Sequence, residues 1–171
     1  EIPKRDWSSD VCSSDLGLGK MGEPMAKHLI AKGYTVFGYD PVAAAMGKAK
    51  ADGVHVLGSP REVAAACDLA IVVVGFDNQI ETVVYGKDGI VEGAKPGLIV
   101  ALGSTAAPKY TKDLAARLGK KQITLLDIPL TRGEQAAVNG KLLILGAGDE
   151  AADRKSTRLN SSHVSESRMP S

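Results

Sequence analysis

The chain has 171 residues, is 44% hydrophobic, and carries 21 Lys and Arg against 20 Asp and Glu, for a net charge of +1. That balance, with no basic tract and no interleaving of aromatic and basic residues, argues against a nucleic-acid partner, and no apolar run reaches the roughly 18 residues of a membrane span. Its two cysteines, Cys12 and Cys67, supply neither a disulfide framework nor a metal set, and Cys67 reads as a small buried hydrophobe.

In chain order, Gly17-Leu18-Gly19-Lys20-Met21-Gly22 fits G-x-G-x-x-G. In this turn the first glycine permits the tight bend. The second lets backbone approach a dinucleotide pyrophosphate, and the third lets helix and strand pack closely. A helix is expected next, with Met25, Leu29 and Ile30 at helical spacing and Pro24 in its first turn. Tyr34–Tyr39 reads as a strand ending at Asp40, 18 residues past Gly22, near the spacing of the acid that holds ribose hydroxyls. The stretch before Gly17 breaks the pattern. A central parallel strand is usually a continuous apolar run, whereas Val11–Leu16 contains Asp15 and two serines.

Beyond Asp40, a helix is predicted from Pro41 to about Ala51, a short strand over Val54–Leu57, and a helix capped by Ser59 with Pro60 and Glu62 in its first turn. Leu69–Val74 is the clearest buried strand. Asn78–Tyr85 reads as a helix, Leu98–Leu102 as a strand, and Pro108–Leu118 as a helix that Ser104 and Thr105 could cap. Ile123–Asp127 reads as a strand, Glu134–Val138 as a short helix and Leu142–Leu145 as a last strand. Strands alternating with helices predict an α/β fold, doubly wound about a mainly parallel sheet of the Rossmann type.

The two ends are related in an unusual way. Asp153–His163 can be encoded so that the reverse complement reads out Asp6–Asp15, ten residues in a row, and the next base opens a leucine codon for Leu16. We expect residues 1–16 and 153–171 to be translated sequencing adapter flanking a gene fragment, and set them aside as scars. The expected organisation is then a truncated dinucleotide-binding domain over 17–152. Its native first strand is lost, and the helical domain that should follow is absent. If Val11–Leu16 takes the vacant strand position, Asp15 is desolvated without an evident partner, which costs several kcal/mol or raises its pKa. Asp15→Val is therefore expected to raise the melting temperature in a thermal denaturation; an unchanged value would mean the segment stays out of the core.

Gly17–Gly22 followed by Pro24-Met25-Ala26-Lys27-His28-Leu29 resembles the opening signature of the β-hydroxyacid dehydrogenases, the family of 3-hydroxyisobutyrate and 6-phosphogluconate dehydrogenases. Order and spacing agree to about Gly148, which is the family's amino-terminal NAD(P)-binding domain. The resemblance implies that the backbone of Val74 and Gly75 lies against the dinucleotide and that Gln79 approaches it. It also implies that Gly103-Ser104-Thr105 puts Thr105 near the nicotinamide; Leu102 stands where the family has Asp. Asp127-Ile128-Pro129-Leu130-Thr131-Arg132-Gly133 resembles the family's substrate-carboxylate loop, with Thr131 in place of Ser and Arg132 in place of Gly. Thr131, Arg132 and Gly133 are thus expected to face a small carboxylate substrate other than hydroxyisobutyrate.

Asp40 would repel a 2′-phosphate, and no arginine follows at Pro41 or Val42, so NAD is favoured over NADP, although Lys48 and Lys50 could swing in. His28 and His55 have no carboxylate at an evident spacing and read as structural. The family's proton-shuttling lysine, on a later Gly-rich helix, has no counterpart here. No catalytic residue is therefore assigned and the fragment is expected to be inactive. The parent enzyme is expected to be cytoplasmic and homo-oligomeric through the missing domain. Two other classes stay open: a dinucleotide-binding module without chemistry, and an S-adenosylmethionine-dependent methyltransferase.

Overall fold

The stretch that composition argues against does form a strand. In the computed structural model, which describes residues 12–144 and 147–148, the elements in chain order are β1 (Cys12–Leu16), α1 (Gly22–Ala31), β2 (Thr35–Tyr39), α2 (Ala43–Ala51), β3 (His55–Val56) and α3 (Pro60–Ala66). They continue as β4 (Leu69–Val72), α4 (Asp77–Tyr85), α5 (Ile90–Gly93), β5 (Ile99–Leu102), α6 (Pro108–Gly119) and β6 (Thr124–Asp127), then β7 (Leu130–Thr131), α7 (Gly133–Val138), β8 (Leu143–Ile144) and β9 (Ala147–Gly148). The seven-stranded sheet has the order β3-β2-β1-β4-β5-β6-β9. It is parallel except for β9, which pairs antiparallel with β6.

β1 lies between β2 and β4, with Asp15 opposite Gly38 on one side and Ile71 on the other. Ladder hydrogen bonds come from the backbone, so a polar sequence can occupy a slot that the flanking strands and the glycine turn already define. The first-strand position is thus filled by Cys12–Leu16. The Asp15 side chain, on which the melting-temperature expectation turns, lies outside the described residues, as do residues 149–171.

Alternation along the strands divides the core in two. Leu69 and Ile71 of β4, with Ile99 and Ala101 of β5, pack toward Met25, Ala26, Leu29 and Ala49 of α1 and α2. Ala70 and Val72, with Val100 and Leu102, face Val63, Ile80, Leu114 and Leu118 of α3, α4 and α6. Helices on both faces of a parallel sheet are the doubly wound α/β arrangement that the element pattern predicts.

Local chemistry explains most boundaries. Ser59 Oγ accepts a hydrogen bond from Glu62 N at 3.2 Å, as the capping motif predicts, and Glu62 Oε2 accepts from the N–H of Gly58, one residue before the cap, at 2.9 Å. The proposed cap at Ser104 and Thr105 is corrected: α6 starts at Pro108, Ala107 is its N-cap, and no side chain caps it. Ser104 is drawn instead toward β4. Helix α5 escapes the sequence reading because four residues make barely one turn, too short for a 3.6-residue period to register. The last strand also differs, since β8 pairs antiparallel with β7 in a separate two-stranded sheet.

An ionic network ties α4 to α6. Glu81 accepts hydrogen bonds from both terminal nitrogens of Arg117, one at 3.1 Å, and from the Tyr110 hydroxyl at 2.9 Å. The guanidinium lies over the Tyr85 ring, 4.7 Å from its centroid. Arg117 holds the Glu81 carboxyl below its ordinary value of 4.5, against the opposing effect of burial. A depressed carboxylate stabilises the fold above the unfolded-state value and loses that contribution as pH falls through the folded value. The chain should therefore lose stability below about pH 4.5 more steeply than Glu81→Gln. At neutral pH the variant should be about 1 kcal/mol less stable, a small effect because the pair is half-exposed. Urea titrations of both proteins across that range test the difference in slope.

Candidate dinucleotide site

The C-terminal ends of β1, β2, β4 and β5 meet at one edge of the sheet, and chain order reverses direction between β1 and β4. In open α/β sheets the crevice outside such a reversal is where ligands bind. Four loops of this chain converge there.

The first is the glycine turn. Gly17 has φ +109°, a value L side chains rarely adopt, and a Cβ on it would lie 2.0 Å from the Val73 carbonyl oxygen. Its N–H donates to Tyr39 O at 3.1 Å. Gly17 is therefore required by the bend and also by the close approach of the β4 loop. Gly19 is a different case: its φ is ordinary, it is exposed, and a Cβ there would meet nothing within 4 Å. No protein atom within 4 Å excludes a side chain at Gly19. Leu18 is 1% exposed and plugs the core against Gly38, so what it offers a ligand is backbone. Lys20 is exposed and pairs with Glu134 at 3.6 Å. Met21 is the N-cap of α1 and supplies no side-chain cap, and Gly22 is buried at the first turn. Glu23 N donates to Gly19 O at 3.1 Å and Pro24 has no N–H, so what the N-terminus of α1 presents is chiefly the positive end of the helix dipole.

The second loop leaves β2. Asp40 is 8% exposed, and its Oδ1 accepts from Val42 N at 2.7 Å. One carboxylate oxygen thus fixes the start of the loop into α2.

The third and fourth loops are stitched together. Val73 and Val74 leave the ladder that the apolar run would otherwise continue, because Ser104 Oγ accepts from Val74 N at 2.8 Å and donates to Val72 O at 3.5 Å. Ser104 is 5% exposed, whereas neighbouring Thr105 is exposed. Gln79 Oε1 accepts from Gly75 N at 2.9 Å and from Phe76 N at 3.2 Å, bracing the turn into α4. Local sequence marks Gln79 and Thr105 but not the cross-link through Ser104, which joins residues 30 positions apart and leaves no local signal.

At the end of β6 stands Asp127, opposite Leu102, where burial pushes its carboxyl above the usual range. Thr131 Oγ1 donates to Leu143 O at 2.9 Å, so its proton is committed within the protein. Arg132 has φ +71°, in the left-handed region that favours glycine, and the adjacent Gly133 has φ +69°. Both are exposed. Among the described residues no cluster of His, Cys, Asp or Glu could hold a metal, and no helix is long and apolar enough to cross a membrane.

A parallel sheet with a glycine turn and helix N-terminus at its reversal point defines a dinucleotide-binding domain of the Rossmann type. The chain belongs to the family described as the NAD binding domain of 6-phosphogluconate dehydrogenase, whose model matches residues 14–160. It is an NAD-binding domain of the hydroxyacid dehydrogenase class of oxidoreductases. It is 39% identical over 142 residues to an uncharacterized oxidoreductase of Mycobacterium tuberculosis, covering 81% of this chain and 47% of the relative. To the 2-(hydroxymethyl)glutarate dehydrogenase of Eubacterium barkeri it is 31% identical over 140 residues, covering 82% of this chain and 46% of that enzyme. The crystal structure of a 3-hydroxyisobutyrate dehydrogenase from Salmonella typhimurium superposes with a TM-score of 0.82 at 28% identity, over 91% of this chain and 54% of that one. The chain thus spans about half the length of the relatives it matches.

Proposed function

We propose that this chain is the cofactor-binding half of an oxidoreductase that moves hydride between a nicotinamide dinucleotide and a small hydroxy acid or semialdehyde. The observation that carries the reading is Gly19, a glycine no protein contact demands, at the uncapped N-terminus of α1 in the sheet's crevice. The residues present fit the dinucleotide: the cradle has room where a side chain would stand, and the Asp40 carboxylate lies one strand away. When bound, the nicotinamide supplies the hydride donor or acceptor.

The chain's own residues bind and orient it. Gly17 makes the bend, its N–H being held by Tyr39 O, and main-chain N–H groups of Leu18–Gly22 receive the pyrophosphate at the positive end of α1. Asp40 accepts from ribose hydroxyls and repels a 2′-phosphate, favouring NAD over NADP. The backbone at Val74 and Gly75 would lie against the dinucleotide, Gln79 would approach it, and the Thr105 hydroxyl would stand near the nicotinamide. Thr131, Arg132 and Gly133 face the substrate carboxylate, with Arg132 as the cation and Thr131 as an acceptor, its proton being held by Leu143 O.

A non-glycine residue at the Arg132 backbone angle costs about 1–2 kcal/mol, which favours a role for its side chain. Arg132→Gly is accordingly expected to stabilise the fold by about 1 kcal/mol, read as a higher melting temperature, while leaving NAD affinity unchanged.

No residue of 17–152 is assigned to proton transfer, so the chain should bind cofactor without turnover. The complete enzyme would assemble as a homo-oligomer in the cytoplasm through the part beyond this domain. Residues 1–16 and 153–171 we read as non-native; sequencing the source gene across both junctions tests that. Calorimetric titration with NAD, NADP and S-adenosylmethionine tests the central reading. NAD should bind most tightly, and tightest binding of S-adenosylmethionine would overturn it. Reduction of NAD by this chain with a hydroxy acid would overturn its assignment as inactive.

A further inference from the structure

Lys20 and Glu134 form an ion pair, 3.6 Å apart, between two segments far apart in the chain. Lys20 belongs to the glycine turn. Glu134 lies in the first turn of α7, directly after Thr131, Arg132 and Gly133. The pair therefore joins the turn read as the phosphate cradle to the loop read as the substrate-carboxylate site.

The contact is built to be exchanged. The Lys20 side chain is 83% exposed and that of Glu134 54%, and an ion pair so open to water is weakly held. Glu23, the other acid lining the same groove between α1, α2 and α7, is already paired with Lys27 at 3.0 Å and with Lys48 at 3.3 Å. The far end of α7 is fixed independently: His28 Nε2 donates to Val138 O at 3.0 Å, and Ala137 is buried. Loss of the Lys20 contact thus frees the front of α7 without releasing its back.

We propose that Glu134 competes with the phosphates of the dinucleotide for Lys20, an autoinhibitory contact that couples the Arg132 loop to occupancy of the cofactor turn. A lysine ammonium is a point charge on a flexible stem, so it can turn from one carboxylate to a doubly charged pyrophosphate. Binding then gives up the Lys20–Glu134 pair. By reciprocity, whatever holds Glu134 on Lys20 weakens the dinucleotide, and the bound dinucleotide loosens Glu134. This inference rests on the dinucleotide reading above and adds to it an acid outside the glycine turn.

Calorimetric titration of the full chain with NAD, at one low ionic strength, tests it in a cycle of Glu134→Gln, Lys20→Met and the double variant. Glu134→Gln should bind NAD about two- to fivefold more tightly than the parent, the range an exposed ion pair spans. Lys20→Met should bind it more weakly, and in that background Glu134→Gln should change nothing. Adenosine, which has no phosphate, should bind all four proteins alike, and their melting temperatures should agree because both side chains are exposed. Unchanged NAD affinity in Glu134→Gln would overturn the proposal and leave the dinucleotide reading intact. An equal gain with and without Lys20 would overturn it as well, since that marks plain repulsion between Glu134 and the phosphates. Failure of the parent itself to bind NAD would overturn both readings.

Discussion

Gly17→Ala is expected to destabilise the fold by about 3 kcal/mol or more and to abolish NAD binding with it. Two costs combine. The backbone sits at φ +109°, and the added Cβ would lie 2.0 Å from a carbonyl oxygen of the β4 loop, a contact no rotamer can relieve. Either β1 and the β4 loop separate or the turn unwinds, and both changes reach the central strand pair. Gly19→Ala is the matched control. Its Cβ enters open space at an ordinary φ, so stability should change by less than about 0.5 kcal/mol while NAD affinity falls. Chemical denaturation and calorimetry on the two variants separate a glycine needed by the protein from one needed by its ligand. Retained stability in Gly17→Ala would mean that the loops can part freely, which the close Val73 contact argues against.

Asp40→Asn is expected to weaken NAD by about tenfold and to narrow or reverse the preference over NADP. The substitution keeps an oxygen for Val42 N, so the loop into α2 should stay in place. What changes is the charge: a carboxylate accepts strongly from two ribose hydroxyls and repels a 2′-phosphate, whereas an amide does neither well. Asp40→Ala removes the acceptor as well, leaving Val42 N–H without its partner at a part-buried site, and should add about 1 kcal/mol of instability. Affinities for both cofactors measured on the two variants distinguish charge selection from loop support. An unaltered NAD to NADP ratio in Asp40→Asn would place the choice of cofactor elsewhere.

Much of this architecture is written locally. The G-x-G-x-x-G turn, the apolar run at Leu69, the Ser59 cap and the acid at Asp40 each depend on residues within a few positions of one another, and each lies in the fold where its chemistry puts it. Local pattern misleads where the deciding partner is distant. Ser104 has the composition of a helix cap, but its hydroxyl is claimed by the backbone of Val72 and Val74, 32 and 30 residues earlier. Val11–Leu16 lacks the composition of a buried strand, yet Cys12–Leu16 pairs on both sides because β2 and β4 leave a slot whose hydrogen bonds are blind to side chains.

The sequence by itself determined the class of fold and the family, since glycine spacing, alternating elements and the Met21-Gly22 and Pro24-Met25 pairs are local patterns. Only the tertiary structure could divide the glycines of one hexapeptide into Gly17, closed off by the Val73 carbonyl, and Gly19, which faces open space. It alone left Phe76, ahead of α4, in solvent. The physical reason is the same in both cases. What a residue type permits is fixed by its own atoms, but what it is needed for depends on atoms that approach it from other parts of the chain.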